Sequence, residues 1–292
     1  MTTRKEMFKW IGEHEKTLYS PRQPIKPIGV YFSPQTRNYF ADEFMSAYKG
    51  ILYLLLQAHL EFQILTPRTL ASFSGEILIL PDAKCLSEAE VNFFAQLVKS
   101  GKTLLVTGET GKYNGGGQML SINPLHERLG IADSAQPQHS NAGMRFSFYP
   151  NCPGKAYYEE LERTFDERAR RGDYLEAPFY RQLMSFANEL TDKPGYLPAV
   201  EIKASPFVST QIALVNGKPH VFIANFKGLQ GKENAAQMPE KDVTIVFPAK
   251  PNTKIYALPY LGEIQEAAGE WRDGKLICVI PEINKGVVVW CE

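Results

Sequence analysis

Between Ile28 and Gly108 short apolar runs alternate with segments of helical period, and this alternation restricts the fold more than any other feature of the chain. IGVYF, from Ile28, reads as a compact buried strand. Phe44, Tyr48, Ile51, Leu52 and Leu55 recur at helical spacing, which predicts a long helix capped by Asp42 and running through Leu60. FQIL is a second strand. Thr66-Pro67 pairs a cap with a proline at the first helical position and predicts another helix start. EILILP is apolar throughout, as in a strand covered on both faces. Ser87 and Glu90 have the capping-box spacing and open a helix that lasts to about Ser100 and ends at Gly101. KTLLVTG is a fourth strand. Parallel strands need crossover connections, so the pattern predicts an open parallel sheet with helices on both faces.

On either side the pattern changes. Arg4 to Lys16 reads as a short amphipathic helix with Met7, Phe8, Trp10 and Ile11 on its apolar side, and YSPRQPIKP breaks it as a proline-rich linker. A helix this short is marginal in water and must pack on something. GETGKYNGGGQ is a polar glycine-rich loop, NPLHERLGI a helical turn, Tyr157 to Arg171 a highly charged helix and Pro178 to Leu190 another. After Pro198, seven short strand candidates from VEIKAS to GVVVWC follow one another between Gly, Pro and Asn turns, without helices. That density predicts a small β-sandwich. The expected division is residues 1–26 for the helix and linker, 27–197 for the α/β domain with a helical extension, and 198–292 for the all-β domain.

Composition narrows the function classes. The chain has 292 residues, 44% hydrophobic and 22% charged, with a formal net charge of zero. That neutrality gives no electrostatic reason for a nucleic-acid or anionic-membrane partner. The longest apolar run, Ile51 to Leu56, is too short to span a bilayer. The N-terminus lacks an apolar signal core, so the expected location is cytoplasmic. Cys85, Cys152, Cys278 and Cys291 lie far apart with no CxxC pair, so neither a disulfide framework nor a metal site is expected. No cofactor motif is present: Gly115-Gly116-Gly117 lacks the lysine-serine ending of a phosphate loop and is expected to be a surface turn.

IGVYFSPQTRNYF and EILILPDAKCLSEAEVNFFAQLVKSGKTLLVTGETGKYN together resemble the trimerisation domain of family 42 β-galactosidases and related glycoside hydrolases. The block from HVFIANF through IPEINKGVVVW is similar to the small β-domain that follows it there. The resemblance covers most of the chain, more weakly between about Ile131 and Pro198. It implies a flavodoxin-like, class I glutamine amidotransferase-like sheet followed by a β-sandwich. It also implies the accessory part of a glycosidase, apart from the barrel that carries the catalytic carboxylate pair, which stands about 5 to 10 Å apart. A barrel takes roughly 250 residues.

In the amidotransferase-like fold the nucleophile sits in a G-x-C-x-G turn after a sheet strand. The matching turn here is Thr107-Gly108-Glu109-Thr110-Gly111, with Glu109 in the cysteine's place. A carboxylate cannot perform thiolate chemistry, so no catalytic residue is expected. Glu109 and Thr110 at a strand's carboxyl end, with Ser33, Gln35 and Thr36 after the first strand, are the candidate ligand-binding residues, because open α/β sheets bind ligands there. The alternative is structural: Glu109 holding amides of its own turn, and Ser33 in ordinary turn chemistry. Trp271 and Trp290 are a candidate sugar platform or core residues; Arg163 with Arg168 to Arg171 reads as a solvated helix face.

Three functions follow: a non-catalytic assembly or accessory protein of carbohydrate metabolism, a small-molecule-binding or hydrolytic enzyme using the cleft near Glu109, and a carbohydrate-binding module. The apolar N-terminal helix points to a homo-oligomer or a complex with a separate catalytic chain.

Overall fold

The computed structural model describes residues 4–132, 136–139, 145–171, 178–192, 199–229, 236–250 and 252–292, without the side chains of 164–171, 178–180 and 182–184. The basic run at Arg168 to Arg171 therefore lies outside the described side chains. Two compact units divide the chain: Met1–Ile25, Asp166–Leu175 and Pro198–Glu292 form one, and Lys26–Phe165 with Glu176–Leu197 the other. Among the described residues no helix is long and apolar enough to cross a membrane.

The chain opens with α1 (Arg4–Glu13), α2 (Glu15–Tyr19) and β1 (Arg22–Pro24), which belong with the all-β unit. The α/β unit then runs β2 (Ile28–Tyr31), α3 (Pro34–Tyr39), α4 (Ala41–Gln57), β3 (Phe62–Leu65), β4 (Ile77–Leu80), β5 (Cys85–Leu86), α5 (Glu88–Lys99), β6 (Thr103–Thr107), β7 (Tyr113–Asn114), α6 (Pro124–Leu129), β8 (Gln138–His139), β9 (Phe146–Tyr149), α7 (Pro153–Arg171) and α8 (Pro178–Thr191). The main sheet has the order β3-β2-β4-β6-β9-β8. Its first five strands are parallel, and β8 pairs antiparallel at the edge. In β2 and β4 every side chain is buried, and each fully buried Leu or Ile contributes about 1.5–3 kcal/mol.

The capping box is present: Ser87 Oγ accepts from Glu90 N, and the Glu90 carboxylate accepts from Ser87 N. Two local expectations need correction. Asp42 does not cap α4. The N-cap is Phe40, and Asp42 sits in the first turn, because α3 runs almost directly into α4 and fixes the entry. Thr66-Pro67 opens no α-helix. Thr69 Oγ1 accepts from Thr66 N (2.9 Å), and the chain makes only a 3-10 turn at Leu70–Ser72. That turn sets Phe73 against Gly29 and Gly75, where a Cβ would crowd its ring. Ser33 is the true cap of α3, accepting from Thr36 N (3.1 Å) ahead of Pro34.

The all-β unit contains β10 (Glu201–Lys203), β11 (Val208–Val215), β12 (Lys218–Asn225), β13 (Glu240–Pro248), β14 (Ile255–Pro259), β15 (Gln265–Ala267), β16 (Gly269–Arg272), β17 (Lys275–Ile283) and β18 (Gly286–Cys291). They form two antiparallel sheets, β1-β11-β12-β18-β14-β15 and β10-β13-β17-β16. Val221 and Val289 of the first share one core with Val243, Phe247 and Cys278 of the second. Asn216-Gly217 and Asp273-Gly274 close the β11–β12 and β16–β17 hairpins with positive φ at both positions, as two-residue hairpin turns require. The proline-rich stretch expected as a linker is partly β1, which pairs with β11 from Arg22↔Val215 to Pro24↔Ala213. Prolines are tolerated there because β1 is an edge strand.

Candidate functional site

The carboxyl ends of β2, β4 and β6 bring the sequence-identified residues to one side of the sheet. Gly108 (φ +59) and Gly111 (φ +80) flank Glu109-Thr110 in the left-handed region. A Cβ on Gly108 would overlap Asp82 Oδ1 and Cys152 Sγ, so glycine is obligatory there on steric as well as conformational grounds.

The loop after β4 is the counterpart. Asp82 has φ +48, an uncommon conformation for a non-glycine residue. It is held by its own bonds: Asp82 N donates to Thr107 Oγ1 (3.0 Å), and Asp82 Oδ1 accepts from Glu109 N (2.8 Å). Thr110 Oγ1 accepts from Ala83 N (2.9 Å) and donates to Thr107 O (2.7 Å). Thus the amide of Glu109 is bound by Asp82 from the neighbouring loop. The expectation that Glu109 would hold the amides of its own turn is corrected, since the positive φ at Gly108 aims that amide across the sheet.

Ser33 and Thr36 brace the same loop from the other side. Ser33 Oγ donates to Cys85 O (3.2 Å), and Thr36 Oγ1 accepts from Cys85 N (2.9 Å) while donating to Ser33 Oγ (2.8 Å). Ser33, Thr36 and Thr110 are fully buried, so their hydroxyls face protein. Gln35, half-buried, keeps its Oε1 enclosed without a hydrogen-bond partner.

Lys84 is the residue that sequence reasoning missed. Its side chain is 8% exposed, yet its ammonium bonds the Glu43 carboxylate, bonds Glu109 Oε2 (3.0 Å) and stands 3.9 Å from Asp82 Oδ2. Lys112 takes the other Glu109 oxygen. Burial alone would lower the pKa of Lys84, but Glu43 and Glu109 outweigh it and hold that pKa above the ordinary lysine value. Lys112, then Lys84, hold Glu109 below the ordinary glutamate value. Burial raises Asp82 to about 6 against the opposing pull of the Glu109 amide and Lys84. Burial, reinforced by Asp82, pushes the Cys152 thiol up to about 12.

This chemistry is that of a latch. Cys152 stays protonated at neutral pH and is a poor nucleophile. No histidine is among the partners of Glu109 in the described residues. Among those residues no group of three or more His, Cys, Asp and Glu side chains is placed to hold a metal. The glycine loop is closed on itself, with Asn114 Oδ1 accepting from Gly116 N (2.9 Å) and Gln118 N (3.1 Å). Trp290 is buried against His220, with ring centroids 5.5 Å apart, while Trp271 is exposed on the edge strand β16, so the two do not form one platform.

Glu109→Gln is expected to cost only about 1 kcal/mol, because the Glu109 side chain is 40% exposed and its pairs with both lysines are partly screened. With its pKa lowered in the fold, Glu109 contributes stability above its unfolded pKa and loses it as pH falls. Urea unfolding at pH 7 checks this; a loss of about 3 kcal/mol or more would show a far more strongly coupled carboxylate.

No protein-family model matches the sequence, and no curated protein matches it by sequence. Solved structures do match. An α-L-fucosidase from Paenibacillus thiaminolyticus aligns over 98% of this chain and 51% of its own, with TM-score 0.64 at 11% identity. A GH42 β-galactosidase from G. stearothermophilus aligns over 98% and 44% (TM-score 0.59, 13% identity). A β-galactosidase from Bacillus circulans sp. alkalophilus aligns over 97% and 44% (TM-score 0.59, 10% identity). The chain spans about half the length of these enzymes or less, and over nearly all its own length it has the fold of a part of glycoside hydrolases.

Proposed function

We propose that these residues form a non-catalytic assembly or accessory part of a carbohydrate-processing glycosidase system, acting as a homo-oligomer or with a separate catalytic chain. The observation that carries this reading is the match of nearly the whole chain to under or about half of several glycosidases. The sheet order, which is 2-1-3-4-5 in chain order before its antiparallel edge, supports a flavodoxin-like, amidotransferase-like domain. The two facing antiparallel sheets support a β-sandwich. We assign 27–197 and 198–292 as the two domains. Glu109, Thr110, Ser33 and Thr36 brace the β4 and β6 loops in this reading, and half-buried Gln35 is the member of the set left outside that bracing. Exposed Phe8 on α1 and Met119 beside β7 are apolar surface suited to burial in an assembly.

The test has two readouts. Light scattering of the purified chain is expected to give an oligomeric mass, or a complex once the catalytic partner is added. A panel of nitrophenyl glycosides is expected to show no turnover. Robust turnover abolished by a single Asp or Glu substitution sinks the reading.

A further inference from the structure

In the all-β unit, the face of the sheet β1-β11-β12-β18-β14-β15 opposite the shared core is partly covered by α1 and α2. Trp10 and Leu18 pack there on Leu258, Val288 and Trp290, and Trp10 Nε1 donates to Gly262 O (2.7 Å). Beside them the sheet is left open by the described residues, forming a groove of about 660 Å³, within the range of small-molecule sites. Phe222, Ala224 and Val288 line it, and Trp10, Phe226 and Tyr260 are among its aromatic borders. Phe226 is 51% exposed. Trp10 and Tyr260 meet at 65° with centroids 5.5 Å apart, so their rings form an angled corner.

The charges are one-sided. Among the described lining residues the charged side chain is Lys285, whose ammonium stands 5.4 Å from the Tyr260 ring centre. Arg22 lies 3.6 Å over the Phe222 ring and donates to Gln211 Oε1 (2.9 Å) and to Leu18 O. Neither cation has a carboxylate partner among the described residues, whereas Lys84, Lys227, Lys254 and Lys275 do. Lys285 also borders a second cavity of about 290 Å³, across Tyr260 from the first. The Ser209 hydroxyl, on the groove face beside Ala224, is not taken up by side-chain hydrogen bonds among the described residues.

Exposed aromatic faces in an open groove suit the flat apolar faces of sugar rings, with the Ser209 hydroxyl at the side. An alkyl chain would call for an enclosed tunnel. A lysine without a carboxylate partner, in a groove whose described lining holds no acidic residue, favours an anion. We propose that this groove binds an acidic oligosaccharide, its rings lying on Phe226, Tyr260 and Trp10 and a uronate carboxylate meeting Lys285. The choice of a sugar over other ring-bearing anions rests on the accessory reading above.

Titration calorimetry of the full chain with trigalacturonate, maltotriose and laurate tests this. Trigalacturonate is expected to bind at least tenfold more tightly than maltotriose. Lys285→Met is expected to lower trigalacturonate affinity about tenfold or more, as for loss of a charge-assisted contact, and to leave maltotriose unchanged. Phe226→Ala, at an exposed ring, is expected to weaken both sugars about fivefold. The proposal is overturned by no trigalacturonate heat up to about 10 mM, by tighter binding of laurate, or by indifference to Lys285→Met. It is also overturned if Phe226→Ala changes the mass in light scattering, since the groove would then be an assembly interface. Glycoside turnover by a chain that still binds trigalacturonate through Lys285 would remove the accessory reading and leave the groove standing.

Discussion

Gly50→Ala is expected to destabilise the α/β unit by about 3 kcal/mol, although alanine is the better helix former by about 1 kcal/mol. Gly50 lies on the buried face of α4, and a Cβ there would overlap the carbonyl of Gly154 in the first turn of α7. Gly154 returns the contact, because its own Cβ would stand 2.5 Å from Ala47 O. Backbone meets backbone, so no side-chain rotation relieves the overlap and α7 must shift as a body. For a unit of this size the melting temperature should fall by roughly 5–10 °C. Gly12→Ala in α1 is the control, since nothing lies within 4 Å of its Cβ position and propensity alone should act. Thermal melts of both variants decide: a Gly50→Ala melting temperature at or above wild type would mean that α4 and α7 do not touch at these glycines.

Lys84→Met is the second large effect, expected to cost about 3 kcal/mol at pH 7. Removing the ammonium leaves the carboxylates of Glu43, Asp82 and Glu109 facing one another, with Asp82 buried. Glu43 and Glu109 are 52% and 40% exposed, so solvent screens their share and the estimate sits at the low end for a broken buried pair. The pH dependence follows from Asp82. Its folded pKa, about 6, lies above the unfolded value of about 3.9, so the native state binds the extra proton between these values. Stability from Asp82 is therefore present below pH 4 and lost as pH rises toward 6. Without Lys84 this loss deepens, so the penalty of Lys84→Met should be largest at pH 7 and shrink toward pH 4. Adding Asp82→Asn, which keeps an acceptor for the Glu109 amide, should recover much of the loss. Urea unfolding across pH 4–8 for the two single variants and the double variant checks the cycle. Equal penalties at pH 4 and pH 7 would show that Lys84 contributes through packing rather than charge.

Much of the fold was legible in local sequence because the relevant physics is local. FQIL coincides with β3. EILILP, KTLLVTG and IGVYF contain β4, β6 and β2, since fully buried parallel strands show as unbroken apolar runs. Ser87, Glu90 and Gly101 marked a helix whose capping bonds span three residues. The fifth parallel strand was not legible. β9, in RFSFYP, is short and follows a polar stretch, and its strand character comes from pairing with β6 from Leu104↔Phe146 to Thr107↔Tyr149. β1 likewise exists only because β11 offers an edge, and by composition it reads as linker.

The candidate site divides the same way. By itself the sequence determined that a glutamate stands between glycines after the fourth strand, in place of a thiol nucleophile, because positive φ and close approach leave few residues but glycine at those positions. What Glu109 does was decided by tertiary structure. Glu43, Asp82, Lys84 and Glu109 are scattered over α4 and two loops, and no periodicity links them. They converge because β4 and β6 are adjacent parallel strands whose carboxyl ends leave the sheet on the same side, so their loops and the start of α4 meet in the same small space. There Lys84 is the cation that lets three carboxylates coexist, a role set by distance through space and by burial, neither of which a single residue's neighbours along the chain encode.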